Sequence, residues 1–558
     1  NSFFRVFRCA MVAEEQDLLQ SSLEEGETPR PRAERRRALL FGTALVAALV
    51  VGAALGRRTL RPQGDGTALT GLWAPAPAPP VDVVPPIEDQ CTDREDCLQH
   101  VDQYLASAPR GQLGLLQTYS KPIGGGPCGP LCELQRDYEH LQSRCDTYDN
   151  AVAAVYYVKR GYLEEAKKIL DTFTTLLYPS DLTGIYPEEF YEGLPSGRAM
   201  TLLAASYNCA KLAEAGDYRK PTVTDGAVDT GNNAWAALAF VHYARAANSG
   251  CHAAVAMDIL HALRMGGSCN DDLGGFLGRL PPYRENHRSI EHNIDVLALA
   301  GLLGASAEQE QAAQFVRTMY GRNEAFPASY SMGTPSDKRC DTSQPKDAPI
   351  PADGTFWNIL ADLEGEEEHL EAAMLFGLGR GNLWAEDVDF IGNGNHPPPH
   401  LSGVQFTTSG NGVQWENTAG AALAMAYYLQ KQSSEGLAVS ASLDRLLNLR
   451  LRQSRGSLRQ LLKMYGAIPG SILGGNYEAF QNGDTRSSFP GGSDTGLGFT
   501  YERFLHTAST AWTGLLLLYQ ADDNGPVNPD ANPLGRSSKD LPALDGSCLP
   551  YQTQSTVR

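Results

Sequence analysis

The chain has 558 residues, 42% hydrophobic and 20% charged, enough apolar material for a large globular core. Its 46 basic residues face 65 acidic ones, a formal net charge of −19. That balance argues against a nucleic-acid partner, whose phosphates demand a basic footprint, and leaves neutral and cationic partners open.

The chain opens on Asn1, and Met11 reads as a candidate initiator within a cytoplasmic segment, 1–37. Residues 38–56 read ALLFGTALVAALVVGAALG, without charge or proline. At 1.5 Å per residue they reach about 28 Å, near the hydrocarbon thickness of a bilayer. The run is longer than the apolar core of a secretory signal, so it predicts an uncleaved transmembrane anchor. Arg30, Arg32, Arg35, Arg36 and Arg37 precede it, and Arg57, Arg58 and Arg61 follow. The excess on the N-terminal side predicts a single-pass type II orientation. Cys9 alone precedes the span and the other ten cysteines follow, an even number suited to a disulfide-forming compartment. Together these features predict the secretory pathway, in the Golgi lumen or at the cell surface. Cys91 with Cys97 and Cys128 with Cys132 are spaced for local loops; a zinc site from Cys128, Cys132 and Cys145 is the alternative, without a paired C-x2-C set.

A Pro- and Ala-rich stem, 57–89, follows the anchor. The folded body is expected over 90–525, and the turn-rich stretch 526–558 reads as a flexible tail with Cys548 a candidate pin. No period-two strand pattern persists in the body. Six segments are instead apolar on nearly every face: from Tyr148, Asn232, Ile290, Asp353, Asn417 and Thr507. Helices of that kind belong inside. Between them lie amphipathic segments, from Leu163, Ala307, Glu366 and Ser440, that read as outer helices. The spacing predicts an all-α toroid of six helical hairpins, (α/α)6, with its long loops gathered at one end and the site among them.

The series TYDNA, DTGNNAWAALA, SIEHNID, VQWENTAG and HTASTAWTGLLL, running in order between Cys145 and Gln520, resembles uncharacterised bacterial proteins of the six-hairpin glycosidase-like superfamily. The resemblance implies a poly- or oligosaccharide site at the open face of an (α/α)6 barrel. Glucoamylases, cellulases and unsaturated-uronyl hydrolases are similar in fold, as are some lyases and epimerases, so the fold leaves the chemistry open. One departure stands where a D-V-Q-T-W-like motif is expected: this chain has Asp353-Gly354-Thr355-Phe356-Trp357.

Glycoside hydrolysis needs one protonated and one ionised carboxyl group. Glu291 and Asp295 lie one helical turn apart, and two like charges in a confined site raise a pKa, so Glu291 is the candidate proton donor. Asp149 and Asp353 stand at helix starts, where the backbone dipole favours the anion; each is a candidate base or a helix cap. Glu416, between Trp415 and Asn417, is a second candidate base. The catalytic set is thus Glu291, Glu416, Asp149 and Asp295. Trp415, Trp357, Asp353, Asp229, His292 and Tyr148 are candidate contacts to sugar, whose C–H faces pack on aromatic rings. His292 or Arg288 could instead pair with Glu291. No Walker loop, no G-x-S-x-G elbow and no strong metal-ligand spacing is present, and no cofactor is expected. The sequence therefore predicts a carbohydrate-active enzyme, an inverting glycoside hydrolase by resemblance. A lyase or epimerase on the same fold and a non-catalytic glycan-binding scaffold are the rivals. A scaffold would have its carboxylates paired, capped or more than about 10 Å apart, beyond the catalytic separations.

Overall fold

The computed structural model describes residues 90–550, apart from interior stretches of which 123–143, 210–222, 341–348, 390–399 and 473–492 are the longest. The expected anchor 38–56, the segment before it and the stem lie outside the described residues, as do Cys128 and Cys132. Among the described residues no helix is long and apolar enough to cross a membrane.

Twelve α-helices occur in the described residues, and they alternate between two layers. The inner six are α2 (Thr147–Arg160), α4 (Thr230–Ala247), α6 (Ile290–Leu303), α8 (Ala352–Leu360), α10 (Trp415–Glu435) and α12 (Thr507–Tyr519). Each packs on the next, and α12 packs on α2, so the ring closes. The outer six are α1 (Arg94–Ser107), α3 (Leu163–Leu177), α5 (Gly250–Gly267), α7 (Ser306–Thr318), α9 (Glu367–Gly377) and α11 (Ala441–Tyr465). Helices α3 to α11 each pack against the inner helix that precedes them, and α1 packs on α12. This is the expected (α/α)6 toroid.

Sequence dictates the layer. All thirteen residues of α12 are buried, as an all-round apolar helix requires. In α3, Ala166, Ile169, Leu170, Phe173 and Leu177 form the one buried stripe, with the charged residues opposite. Gly161 and Gly304 end α2 and α6 with φ of 89° and 70°, a left-handed turn that lets the outer helix start within three residues.

Two sets of hydrogen bonds hold the helix starts in register. The first backbone N–H of each inner helix, which has no acceptor within its own helix, donates to the loop that leads to the next one. Thr147 donates to Ala205, Thr230 to Gly278, Ile290 to Met332, Ala352 to Phe406, Trp415 to Gly470 and Thr507 to Thr118, all at 2.9–3.1 Å. Short antiparallel pairs flank these junctions, such as 144–146 with 206–208 and 413–414 with 471–472; the sequence pattern had shown no strands because most span two or three residues. The second set comes from the fourth residue of each inner helix, always Asn or Thr. Asn150, Asn233 and Asn293 each accept from and donate to one upstream backbone residue, Leu116, Leu203 and Phe276, at 2.6–3.1 Å. Thr418 and Thr510 accept from Val404 and Ile468, both at 3.0 Å, and Thr355 bonds back to the Pro351 carbonyl.

Two expectations change. Residues 526–535 do not behave as a tail: Asn532 donates to the Leu360 carbonyl at 2.8 Å, the Pro533 carbonyl meets His242 at 2.8 Å, and Ala531 and Leu534 are buried. These contacts fall at the C-terminal ends of α8 and α4, so the segment closes the end of the ring away from the helix starts. Leu549 is also buried. The zinc alternative fails because Cys145 is disulfide-bonded to Cys209. Cys91 bonds to Cys97 as the spacing suggested, Cys269 bonds to Cys340, and Cys251 is also disulfide-bonded.

Candidate active site

All six inner helices aim their N-termini at one cavity of about 630 Å³. The helical period makes its lining legible layer by layer. The first residue of each inner helix turns away from the cavity and is buried: Thr147, Thr230, Ile290, Ala352, Trp415 and Thr507. The second residue faces in, and Tyr148, Gly231, Glu291, Asp353 and Glu416 all line the cavity. So do the third residues Asp149, Asn232, His292 and Asn417. One turn deeper, the sixth residues Trp235, Asp295 and Trp357 make the floor. Glycine is required at two points of this packing. A Cβ on Gly231 would lie 2.4 Å from the His292 ring, and one on Gly420 would lie 2.7 Å from the Trp357 indole nitrogen.

This register corrects one expected sugar contact. Trp415 is wholly buried and not part of the lining, because it is a first residue, about 100° around the helix from Glu416. The other nine expected residues, Glu291, Glu416, Asp149, Asp295, Trp357, Asp353, Asp229, His292 and Tyr148, all line the cavity.

The carboxyl groups fall into two classes. Asp149 and Asp229 are satisfied. Asp149 caps the neighbouring helix rather than its own, with Oδ1 accepting from Ala508 N and lying 3.1 Å from His506 Nε2. Asp229 meets Arg279 at 2.8 Å and Asn232 at 3.2 Å. Glu291, Asp295, Asp353 and Glu416 show no ion pair with a cationic side chain among the described residues. Arg288, one of the two alternative partners of Glu291, is ion-paired with Asp271 at 2.7 Å.

Burial governs these four carboxyls and outweighs the favourable helix dipoles. It holds Glu291 well above the usual carboxyl range, and the charges of Asp353, Asp295 and Glu416 push the same way. Hydrogen bonding between the two side chains raises Glu291 further and lowers Asp353. Asp353 is pushed up to about 6 by burial; the Gly354 N–H, 2.6 Å from its Oδ1, and Glu291 restrain it. Burial and Asp353 also hold Asp295 well above its normal value, opposed by the nearby Trp235 indole. That indole does not reach hydrogen-bonding geometry, and neither Asp295 oxygen has a partner.

Glu416 is pushed up to about 7 by burial, with the His506 charge and the Tyr148 hydroxyl opposing. Tyr148 donates to Glu416 Oε1 at 2.6 Å while accepting from Trp512 Nε1 at 2.9 Å, and Oε2 has no partner. His506 is raised: burial works against its charged form, but Asp149 and Glu416 more than offset that. His292, lowered to about 4 mainly by burial, is neutral, and its Nδ1 lies 3.1 Å from the Gly278 carbonyl.

Sequence reasoning missed His506, Asp146, Arg144, Asp225, Tyr119 and Phe406, which also line the cavity. Asp146 and His506 stand at the residue before an inner helix, the same position as Asp229, so aligning the six helix starts would have found both. Among the described residues no group of three His, Cys, Asp or Glu side chains is placed to hold a metal ion.

No family model matches the chain. No curated protein matches it either. Several solved structures are similar to it. One is a family 76 glycoside hydrolase from a bovine Bacteroides thetaiotaomicron strain, 9% identical, with 77% of this chain and 78% of that one covered and a TM-score of 0.47. Another is a D-mannose isomerase, 10% identical, covering 77% and 98%, with a TM-score of 0.46. A third is the cellobiose 2-epimerase from Spirochaeta thermophila DSM 6192, 13% identical, covering 76% and 95%, at 0.45. All three scores lie below 0.5, so the architecture assigned above rests on the closed ring of helices itself.

Proposed function

We propose that the chain is a carbohydrate-active enzyme, an inverting glycoside hydrolase in which Glu291 is the proton donor and Glu416 the general base. The observation that carries this reading is the asymmetry of the two groups. Burial and the Asp353 charge raise Glu291 well above the usual carboxyl range, whereas Glu416 sits near 7 with Tyr148 on one oxygen and nothing on the other. They stand on α6 and α10, the two inner helices that flank α8.

In the proposed step Glu291 gives its proton to the glycosidic oxygen as the bond from that oxygen to the anomeric carbon breaks, the bonding pair leaving with the oxygen. Glu416 Oε2 takes a proton from water, whose oxygen bonds to the anomeric carbon from the opposite face. Tyr148 fixes Glu416 so that Oε2 points to the water. Asp353, relieved of the Glu291 hydrogen bond, is an anion facing the positive charge that develops on the sugar ring.

The carboxylate environment speaks against the rivals. A scaffold would have its carboxyls paired, capped or far apart; none of these four has an ion pair among the described residues, and both Asp295 oxygens and Glu416 Oε2 have no hydrogen-bond partner. A lyase acting on uronate would need free cations, and Arg144, the arginine of the lining, is engaged with Asp146 at 2.6 Å. The test is release of reducing sugar from a panel of glucans, mannans, galactans and uronans, with the first product followed by proton NMR. Release with inverted anomeric configuration is the expected result. Products with a double bond, or epimerised sugar without hydrolysis, would overturn it.

The location in the secretory pathway and the single-pass anchor remain part of this proposal. The disulfides Cys91–Cys97, Cys145–Cys209 and Cys269–Cys340 support an oxidising compartment. Retention in the membrane pellet after alkaline carbonate extraction is the expected result for the anchor, and release would overturn it.

A further inference from the structure

We propose that the floor of the cavity receives a cationic group, so that the substrate is a basic sugar, a hexosamine residue with a free amine; this rests on the carbohydrate reading above. The floor is a layer of aromatic rings interrupted by one carboxyl group. Trp235 and Trp357 lie with ring centroids 5.7 Å apart, Tyr148 stands 5.4 Å from Trp235, and Trp512 closes the cluster from below at 5.3 Å from Trp357. Into this layer projects Asp295, fully buried, lining the cavity, with neither oxygen in a hydrogen bond.

A buried polar group without a partner is costly, and the resting protein does not compensate Asp295. Its missing partner must come from the ligand, and the surroundings define its chemistry. Burial and Asp353 favour the protonated form of Asp295 in the empty cavity, but a cation placed against it restores the anion, and an ionised carboxylate only accepts hydrogen bonds, so the ligand atom is a donor. Aromatic faces attract a desolvated cation, and a carboxylate beside them completes the usual recognition of an ammonium group. The cavity as a whole agrees: eight carboxyl groups line it against one arginine, which is ion-paired. Asp295 stands one helical turn below Glu291, so an amine on the floor places the same ring within reach of the proposed proton donor.

The experiment is calorimetric titration of the intact protein with glucosamine, galactosamine and mannosamine, each beside its neutral parent hexose, repeated on Asp295→Asn. A charge-assisted contact is about twice as strong as a neutral one, so at least one amine is expected to bind about tenfold more tightly than its parent. Asp295→Asn is expected to abolish that preference while still binding the neutral sugar. Equal affinity for amine and parent in the unmodified protein would overturn the inference and leave the carbohydrate reading standing. An amine preference that survives in Asp295→Asn would also overturn it. Binding of neither class would overturn both.

Discussion

Replacing Glu416 by glutamine should stabilise the protein at alkaline pH and not at acid pH. The side chain is 4% exposed, and its carboxyl is raised from 4.5 to about 7. The folded state therefore holds a proton that the unfolded state releases. Below pH 4.5 both states are protonated and there is no penalty; as pH rises to 7 stability falls, and above 7 the full loss persists. At about 1.4 kcal/mol per pH unit, moving the carboxyl from 4.5 to about 7 costs roughly 3 kcal/mol. Glutamine removes that penalty. Its Oε1 still accepts from Tyr148, and its amide nitrogen takes the position of the unpartnered Oε2, a cost of about 1 kcal/mol that does not vary with pH. For a domain of this size 1 kcal/mol moves Tm by about 1 °C. Calorimetric melts at pH 4 and pH 8.5 should show the variant's Tm difference from the parent rising by about 3 °C between the two. A difference that does not change with pH would refute the claim that Glu416 is buried at the cost of its charge.

Further perturbations follow from the same geometry. Asp149→Ala leaves His506 without its anion and Ala508 N–H without its acceptor, and should cost about 3–5 kcal/mol by denaturant titration. Because the His506 pKa is raised, its contribution is complete below its unfolded pKa of 6.5 and lost as pH rises through the folded value, so the cost should shrink in alkaline buffer. Asn233→Ala removes three hydrogen bonds and orphans both backbone groups of buried Leu203, a loss of about 2–5 kcal/mol. Cys269→Ser opens a crosslink spanning 71 residues and should cost about 4 kcal/mol, or less to the extent that the chain retains structure when unfolded. Both are read from urea unfolding followed by circular dichroism.

The inner layer was legible because burial on all sides leaves long runs that are almost free of charge. AALAFVHYA in α4 and TGLLLLY in α12 read as interior. Outer helices were read where a charged face contrasts with an apolar stripe, as in α3. The segment GCHAAVAMDILHALRMGG of α5 carries two charges in eighteen residues, because Asp258 is buried against Tyr178 and Ser196, and its amphipathic pattern is accordingly faint. Helix α1 was missed because it returns to close the ring against α12, a contact between residues about four hundred positions apart that no local pattern encodes. In the site, residue type found Glu291, Asp295, Asp353 and Glu416, but neighbours in sequence were taken for neighbours in space. Trp415 failed on that assumption, since the first residue of each inner helix turns away from the cavity while the second and third face it. His506 was hidden because it stands before a helix start and acts through Asp149, on the opposite side of the α12–α2 junction.

The account turns on the roles given to Glu291 and Glu416. Its most direct test is the rate of reducing-sugar release by the Glu291→Gln and Glu416→Gln variants, set beside the unmodified protein on whichever saccharide it cleaves. Each variant is predicted to lose activity by at least about a thousandfold, roughly 4 kcal/mol of transition-state stabilisation. Activity within a few-fold of the parent in either would contradict the assignment of acid and base.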